Sequence, residues 1–430
     1  MKKVAFFLDN KAFASVDCSD ILKGNPGIGG TENMFYVIST LLSCRDNDLE
    51  VKLFITADQV LPKVVNFEIV GNLLSCIRKT DEEAFDFLVI KHDVKNIYND
   101  TLRNSSNIQF IIWAHVFMCF WELDYYAKLK KVYKIVNVGR EALDLYIDHP
   151  AYEKSCFIYN CVPLPEQVNC NLVPFEQRQP IVTYIGQLAP FKGFHLLAEA
   201  WPKVVSEIPD AQLYVIGTGK LYDRNSLLGS YGLAEVSYEQ RFVKYLTDDD
   251  GNILPGVHFM GVMGKEKEDI LAKTKVGVPN PSGITETFCI SAVEMQIQGA
   301  FVVTIKAPGY LDTVKNGSLY SSRKRLAEEI VKALRRESDT YVVAQDYFKQ
   351  HFSYEAVAKE WERLINNDIR PDEHAIVNSS YRLKWLKRFL RVVKMRLPFL
   401  YRFPYLERIM LFVERLLKGR ITYLDSNIQV

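Results

Sequence analysis

Two carboxylates, Glu286 and Glu294, stand eight positions apart within NPSGITETFCISAVEMQIQGAFVVTI, residues 280–305. An apolar β-type run at 276–279 ends at the turn cluster Asn280-Pro281-Ser282-Gly283. A helical pattern follows, with Phe288, Ala292, Met295 and Ile297 among its apolar positions; Gly299 stops it and 301–305 reads as the next strand. This strand–loop–helix–strand unit is the repeat of a parallel α/β sheet. The pattern predicts Glu286 at the mouth of the helix and Glu294 about two turns deeper, ~12 Å along the axis. A helix start presents free N–H groups and a positive dipole end, which suits a phosphate. A carboxylate beside it can accept hydrogen bonds from sugar hydroxyls, and a second one two turns along can bind the vicinal hydroxyls of a ribose. One helix can in this way hold both ends of a nucleotide-sugar. The plain alternative, a first-turn acid complementing the dipole and a solvated helix charge, is equally compatible with the helix alone.

Three further places carry candidate chemistry. In YIGQLAPFKGFHLL, a strand ends at Gly186-Gln187-Leu188 and Lys192-Gly193 precedes an amphipathic helix, so Lys192 can face an anion; the alternative is a surface lysine. His115 follows the apolar run 110–114, at the carboxyl edge where open α/β sheets bind ligands; the alternative is a histidine satisfied by nearby backbone. Near the start, a strand is followed by Gly24-Asn25-Pro26-Gly27-Ile28-Gly29-Gly30 and then a helix whose apolar face is Met34, Val37, Ile38, Leu41 and Leu42. That order is a phosphate-cradle layout, although it lacks GxGxxG and reads equally as a surface loop.

The spacing of Glu286 and Glu294, together with the Lys192 segment, resembles the E-x7-E signature of retaining, nucleotide-sugar-dependent glycosyltransferases of the GT-B type, group 1 or family 4-like. The resemblance covers residues 1–366. It implies two Rossmann-like domains with parallel sheets facing a cleft, donor mainly on the second and acceptor on the first. It implies Glu286 on the donor sugar, Glu294 on the ribose, Lys192 on the diphosphate and His115 beside the sugar. It also implies donor contacts from Gly29, Gly30, Gly186, Gln187, Gly217, Thr287, Phe288, Cys289 and Ile290. The family usually has arginine where Gln187 stands; a glutamine can hydrogen-bond a phosphate oxygen but brings no charge. Cys161 in Asn160-Cys161-Val162-Pro163 stands where glycine is usual, and Lys306–Gly309 with Asp312 matches the family's Gly-Gly…Glu loop less well. No Asp-x-Asp pair sits at a donor position, and Asp248-Asp249-Asp250 reads as a loop, so no obligatory metal and no cofactor is expected. The nucleotide-diphosphate sugar is a substrate, and the leaving diphosphate is the expected base for the acceptor hydroxyl. Alternatives are another GT-B enzyme, such as a sugar-nucleotide epimerase or phosphorylase, and a non-catalytic subunit of the same fold.

The elements that must position these groups follow from the whole chain. At 430 residues, with 48% apolar and 24% charged residues, it is an ordinary globular α/β sequence too long for one core. The expected divisions are 1–165, 166–366 and a helical tail, 367–430, with the polar, proline-bearing segment 163–180 as linker. The helix over 352–365, with Val357, Trp361 and Leu364 inward, is expected to cross back to the first domain. The eight cysteines form neither CxxC pairs nor metal-ligand spacings and read as reduced thiols in a cytoplasmic protein. The N-terminal apolar run is cut by Asp9 and reads as a strand, and no stretch is long enough to span a membrane.

Net charge is +1, but residues 381–420 hold twelve Lys and Arg against two Glu. Over 382–396, Trp385, Leu386, Phe389, Leu390 and Val393 share one helical face; Lys384, Lys387, Arg388, Arg391 and Lys394 share the other. Pro398 and Pro404 break the chain before a second helix with Leu406, Ile409, Met410, Val413, Leu416 and Leu417 on one side. A basic amphipathic helix with aromatic residues on its apolar face is an interfacial binder of an anionic membrane. Peripheral association with the inner membrane face and a glycan or lipid-linked acceptor, as in cell-surface polysaccharide or lipopolysaccharide synthesis, are therefore expected. Packing of the tail on the protein body or on a second copy is the alternative. A nucleic-acid partner is not expected, since the rest of the chain is acidic and has no such module. The oligomeric state is not legible.

Overall fold

The computed structural model describes residues 1–45, 49–93, 107–164, 172–220, 227–367 and 380–418. Part of the expected linker, with Cys170, and residues 367–430 of the expected tail outside 380–418, apart from Asn367, lie outside the described residues, as does the side chain of Leu417. The chain divides into two compact units: Met1–Ala14, Met34–Asn160 and Val357–Val430 form one; Ser15–Asn33 and Cys161–Ala356 form the other.

The first unit is built on seven strands: β1 (Lys2–Leu8), β2 (Leu49–Ile55), β3 (Phe67–Ile69), β4 (Phe87–Lys91), β5 (Gln109–Ala114), β6 (Val132–Asn137) and β7 (Ser155–Phe157). Their order is β3-β2-β1-β4-β5-β6-β7, all parallel. The central strands are nearly continuous apolar runs because helices cover both faces of such a sheet; Phe87–Ile90 is buried throughout. The helix Gly30–Ser43 buries Met34, Val37, Ile38 and Leu42 of the expected stripe, with Leu41 half-buried. The short strand β3 was not expected; it has three residues, too few to show a periodicity, and its two apolar ones, Phe67 and Ile69, are exposed.

The second unit holds β8 (Ile181–Ile185), β9 (Gln212–Ile216), β10 (Val257–Gly261), β11 (Val276–Gly277), β12 (Phe301–Ile305) and β13 (Gly317–Tyr320), in the parallel order β10-β9-β8-β11-β12-β13. Its carboxyl edge, around the central β8 and β11, is where the order reverses and where open α/β sheets hold ligands. The helix Tyr354–Ile365 begins in the second unit and continues into the first. There Trp361, fully buried, packs on Phe6 and Trp113 at ring-centroid distances of 5.9 and 4.7 Å. Val357 and Leu364 are buried with it, as the periodicity predicted.

The tail helices Lys384–Arg396 and Leu406–Lys418 form as expected, but three of the basic residues expected at a membrane surface are turned inward. Lys384, Lys387 and Lys394 are buried, whereas Trp385 and Phe389 are 58% and 61% exposed. The reason lies in residues 140–148, where Glu141, Asp144 and Asp148 recur at helical spacing and are themselves buried. Lys384 Nζ sits 2.6 Å from Glu141 and 3.0 Å from Asp144, and Lys394 Nζ sits 2.9 Å from Asp148. Lys387 pairs with Glu407 of the second tail helix, and Arg391 with Glu153. Buried charge is tolerated only when paired and hydrogen-bonded, so the acids draw the basic face inward and leave the apolar face outside. No helix among the described residues is long and apolar enough to cross a membrane.

Candidate functional site

The loop from β11 to the helix Ile290–Ile297 is held by Asn280, which the sequence marked only as a turn residue. Its Nδ2 donates to Ile284 O (3.0 Å) and to Glu286 Oε1 (2.7 Å), its Oδ1 accepts from Ser282 N (3.2 Å), and its carbonyl accepts from the Tyr310 hydroxyl (2.9 Å). Ser282 Oγ in turn donates to Phe191 O (2.6 Å), which ties this loop to the one after β8. Thr285 is held at φ 65°, a left-handed conformation that a β-branched residue adopts at a cost of about 1–2 kcal/mol. Such strain persists only where surrounding bonds over-determine it, and here it aims the next residue, Glu286, into the site.

The helix begins four residues later than expected. Its N-cap is Cys289, so Glu286, Thr287 and Phe288 belong to the loop and not to the first turn. Hence Glu286 and Glu294 are not two turns apart on one helix, and the ~12 Å axial separation does not apply. The β-branched Thr285 and Thr287 around Glu286, with the hydrogen bonds of Asn280, favour loop over helix. Phe288 leaves the expected stripe to stack edge-on against Phe352, 5.0 Å between centroids.

Glu286 is 5% exposed, and its Oε1 accepts from Lys192 Nζ at 2.6 Å as well as from Asn280. The loop carrying Lys192 is fixed from below by the buried Tyr184, whose hydroxyl lies 3.1 Å from both Gln187 O and Lys192 O. Gly193 allows the two loops to meet: it sits at φ 69°, and a Cβ there would lie 2.7 Å from Ser282 N. Gly309 N donates to Glu286 O (3.0 Å), and a Cβ on Gly309 would lie 2.6 Å from that oxygen. So the expected pair of groups, one acid and one ammonium, is assembled in the second unit at the amino end of the helix Ile290–Ile297.

Gln187 is 9% exposed; its Nε2 lies 3.4 Å from Gly219 O, and its buried Oε1 has no hydrogen-bond partner among the described residues. Gly186 and Gly217 close the carboxyl ends of β8 and β9, with Gly217 N donating to Gly261 O at 2.7 Å. Glu294 is on the helix as expected, but it is not a solvated charge: it pairs with Lys267 at 2.8 Å, a partner the sequence did not suggest. The Cys289 thiol is pushed up to about 12 by burial, with the Glu286 charge adding, which keeps it protonated and unreactive at neutral pH.

Gly29 and Gly30 fall in the second unit. Their loop is ordered by Asn25, whose Oδ1 accepts from Gly27 N and Ile28 N at 2.9 Å each. A Cβ on Gly30 would lie 3.6 Å from Ile290 Cδ1, so this glycine loop abuts the start of the site helix. His115, by contrast, belongs to the first unit, directly after β5, packed between Trp113 and Phe35. Burial, then the charge of Lys91, lowers it to about 3, so it is a neutral imidazole at physiological pH.

Residues 179–336 match the family model described as Glycosyl transferases group 1. No curated protein matches the sequence. Among solved structures, sucrose-phosphate synthase from Thermosynechococcus elongatus aligns over 85% of this chain and 99% of its own, with 15% identity and a TM-score of 0.61. The catalytic domain of starch synthase IV from Arabidopsis thaliana, bound to ADP and acarbose, aligns over 86% and 99% with 10% identity and a TM-score of 0.56. The lipopolysaccharide outer core galactosyltransferase WaaB aligns over 85% and 100% with 15% identity and a TM-score of 0.53. At these identities the likeness establishes the fold: two Rossmann-like parallel-sheet domains of the GT-B type with a helical C-terminal region.

Proposed function

We propose that the protein transfers a sugar from a nucleotide-diphosphate donor to a hydroxyl of a glycan or lipid-linked acceptor, with retention of configuration. The observation that carries this reading is the convergence of Glu286, Lys192 and the glycine loop at the amino end of the helix Ile290–Ile297, within the segment that matches the group 1 glycosyltransferase model. The ammonium and the free N–H groups of the helix start are suited to the departing diphosphate, as electrostatic stabilisers of charge that grows in the transition state. Glu286 would accept from the donor sugar's hydroxyls and Glu294 from the ribose. The anomeric C–O bond to phosphate breaks, a bond to the acceptor oxygen forms on the same face, and the acceptor proton passes to a phosphate oxygen. In this reading Lys192 and the helix start provide the positive charge and no obligatory metal takes part. His115, neutral, would line the sugar site as a hydrogen-bonding group and not as a charge.

The donor contacts expected at Gly29, Gly30, Gly186, Gln187, Gly217, Thr287, Phe288, Cys289 and Ile290 are part of the same proposal. So is peripheral association with an anionic membrane through residues 381–420, in surface polysaccharide or lipopolysaccharide assembly on the cytoplasmic face; the exposed aromatic residues of the tail support it. The test is a thermal-shift screen against nucleoside diphosphates and nucleotide-sugars, followed by release of nucleotide from the donor that binds. A bound donor raises the melting temperature by mass action; no shift with any donor, and no nucleotide released, would count against an active site and leave a fold without this chemistry.

A further inference from the structure

A soluble amphipathic helix normally turns its apolar face to the core and its charges to water. The tail does the opposite. Lys384, Lys387 and Lys394 are spent on buried acids, while Trp385, Phe389, Phe399, Phe403, Phe412 and Leu416 are each at least 58% exposed. These residues come from both helices and the turn between them, so the outward surface is one of aromatic and aliphatic side chains drawn from some thirty consecutive positions. Exposed apolar side chains gathered at this density in one segment mark a place that another phase or molecule covers.

The charges interleaved with them discriminate between occupants. Arg396, Arg402 and Arg408 are exposed, the last with its guanidinium 3.6 Å from the Phe120 ring centroid, and both acids among the described residues 380–418 are paired: Glu407 is buried against Lys387 and Glu414 pairs with Arg382. A second copy of this chain in a two-fold arrangement would set this cationic surface against itself. A layer of anionic headgroups over hydrocarbon complements both features at once.

We propose that this outward face inserts into the headgroup–acyl boundary of an anionic bilayer. Trp385, Phe389, Phe399, Phe403, Phe412 and Leu416 enter the acyl edge, the exposed Arg396 and Arg402 engage lipid phosphates with Arg408 beside them, and the buried lysines act only as the internal latch that holds the apolar face outward. The inference rests on the membrane association proposed above and withdraws Lys384, Lys387 and Lys394 from the lipid contacts that the sequence pattern would have them make. Binding is then driven mainly by apolar burial, with lipid charge secondary.

The test uses the full chain and sedimentation with phosphatidylcholine vesicles with and without phosphatidylglycerol. Binding to the anionic vesicles should persist at ~0.5 M salt, where the Debye length has shrunk to roughly 4 Å. F389E/F412E, at two exposed positions outside the latch, should weaken partitioning by at least about tenfold, while nucleotide-release activity on a soluble acceptor is unchanged. Binding that vanishes at that salt and ignores F389E/F412E would overturn insertion while leaving membrane association standing. No binding to either vesicle would overturn both. Concentration-dependent dimerisation without lipid, abolished by F389E/F412E, would assign the face to a second copy and overturn the proposal.

Discussion

Lys192→Ala is the most informative perturbation, because it acts on stability and on turnover through different partners. In the folded protein the lysine's Nζ lies 2.6 Å from a carboxylate that is 5% exposed, and without it Glu286 Oε1 keeps the hydrogen bond from Asn280 Nδ2. Removing one member of a fully buried pair costs about 3–5 kcal/mol. The Lys192 side chain is 23% exposed, so water can reach the vacated position, and solvent screening reduces the expected loss to about 1–2 kcal/mol. Turnover should fall further: removing a preorganised donor to developing charge costs about 10²–10³-fold, or ~3–4 kcal/mol of barrier. Nucleotide release at saturating donor, beside thermal unfolding of the same preparation, separates the two effects. Glu286→Ala should also lose turnover, and the double variant K192A/E286A should be less destabilised than the sum of the singles, because the two groups share one interaction. A K192A protein that folds and turns over normally refutes the assignment of Lys192; strictly additive stability losses refute the ion pair that organises the site.

Tyr184→Phe removes a buried hydroxyl placed against Gln187 O and Lys192 O; it should cost about 1–2 kcal/mol in urea unfolding and lower turnover more than donor affinity, whereas unchanged turnover would show that the loop needs no such support. Lys394→Ala takes the counter-charge from the buried Asp148 carboxylate, which keeps the Leu406 N–H at 3.0 Å, and should lower stability by about 3 kcal/mol; an unchanged melting temperature would mean that the tail is not latched as described. Burial holds His115 at about 3 and His195 at about 4. Unfolding raises both toward the ordinary value near 6.5, so the unfolded chain binds more protons between those limits. Stability should therefore be full above about pH 6.5 and fall as pH drops toward 4, less steeply in His115→Asn; a profile unaffected by that substitution would place the imidazole in solvent.

Much of this was written locally. β8 and β12 lie where their apolar runs put them, from Ile181 to Ile185 and from Phe301 to Ile305, because a strand covered on both faces must be apolar along its length. Gly193 and Gly309 are glycines because backbone approaches them too closely for a Cβ. That Lys192 and Glu286 serve one site was implied by the resemblance, which put the ammonium on the diphosphate and the acid on the donor sugar; their direct pairing at 2.6 Å was not anticipated.

The start of the site helix could not be read the same way. Asn280, four residues from Ile284 and six from Glu286, satisfies backbone and carboxylate together, and that competition keeps Glu286 in a loop even though helical periodicity appears to run through it. The tail shows the limit most plainly. Residues 384–396 state that one face is basic and the other apolar; they do not state which is inside. That was decided by Glu141, Asp144 and Asp148, some 240 positions earlier in the chain, because unpaired charge cannot be buried and paired charge can. A helix carries its own sidedness in sequence, whereas the direction it faces belongs to whatever surface the fold brings against it.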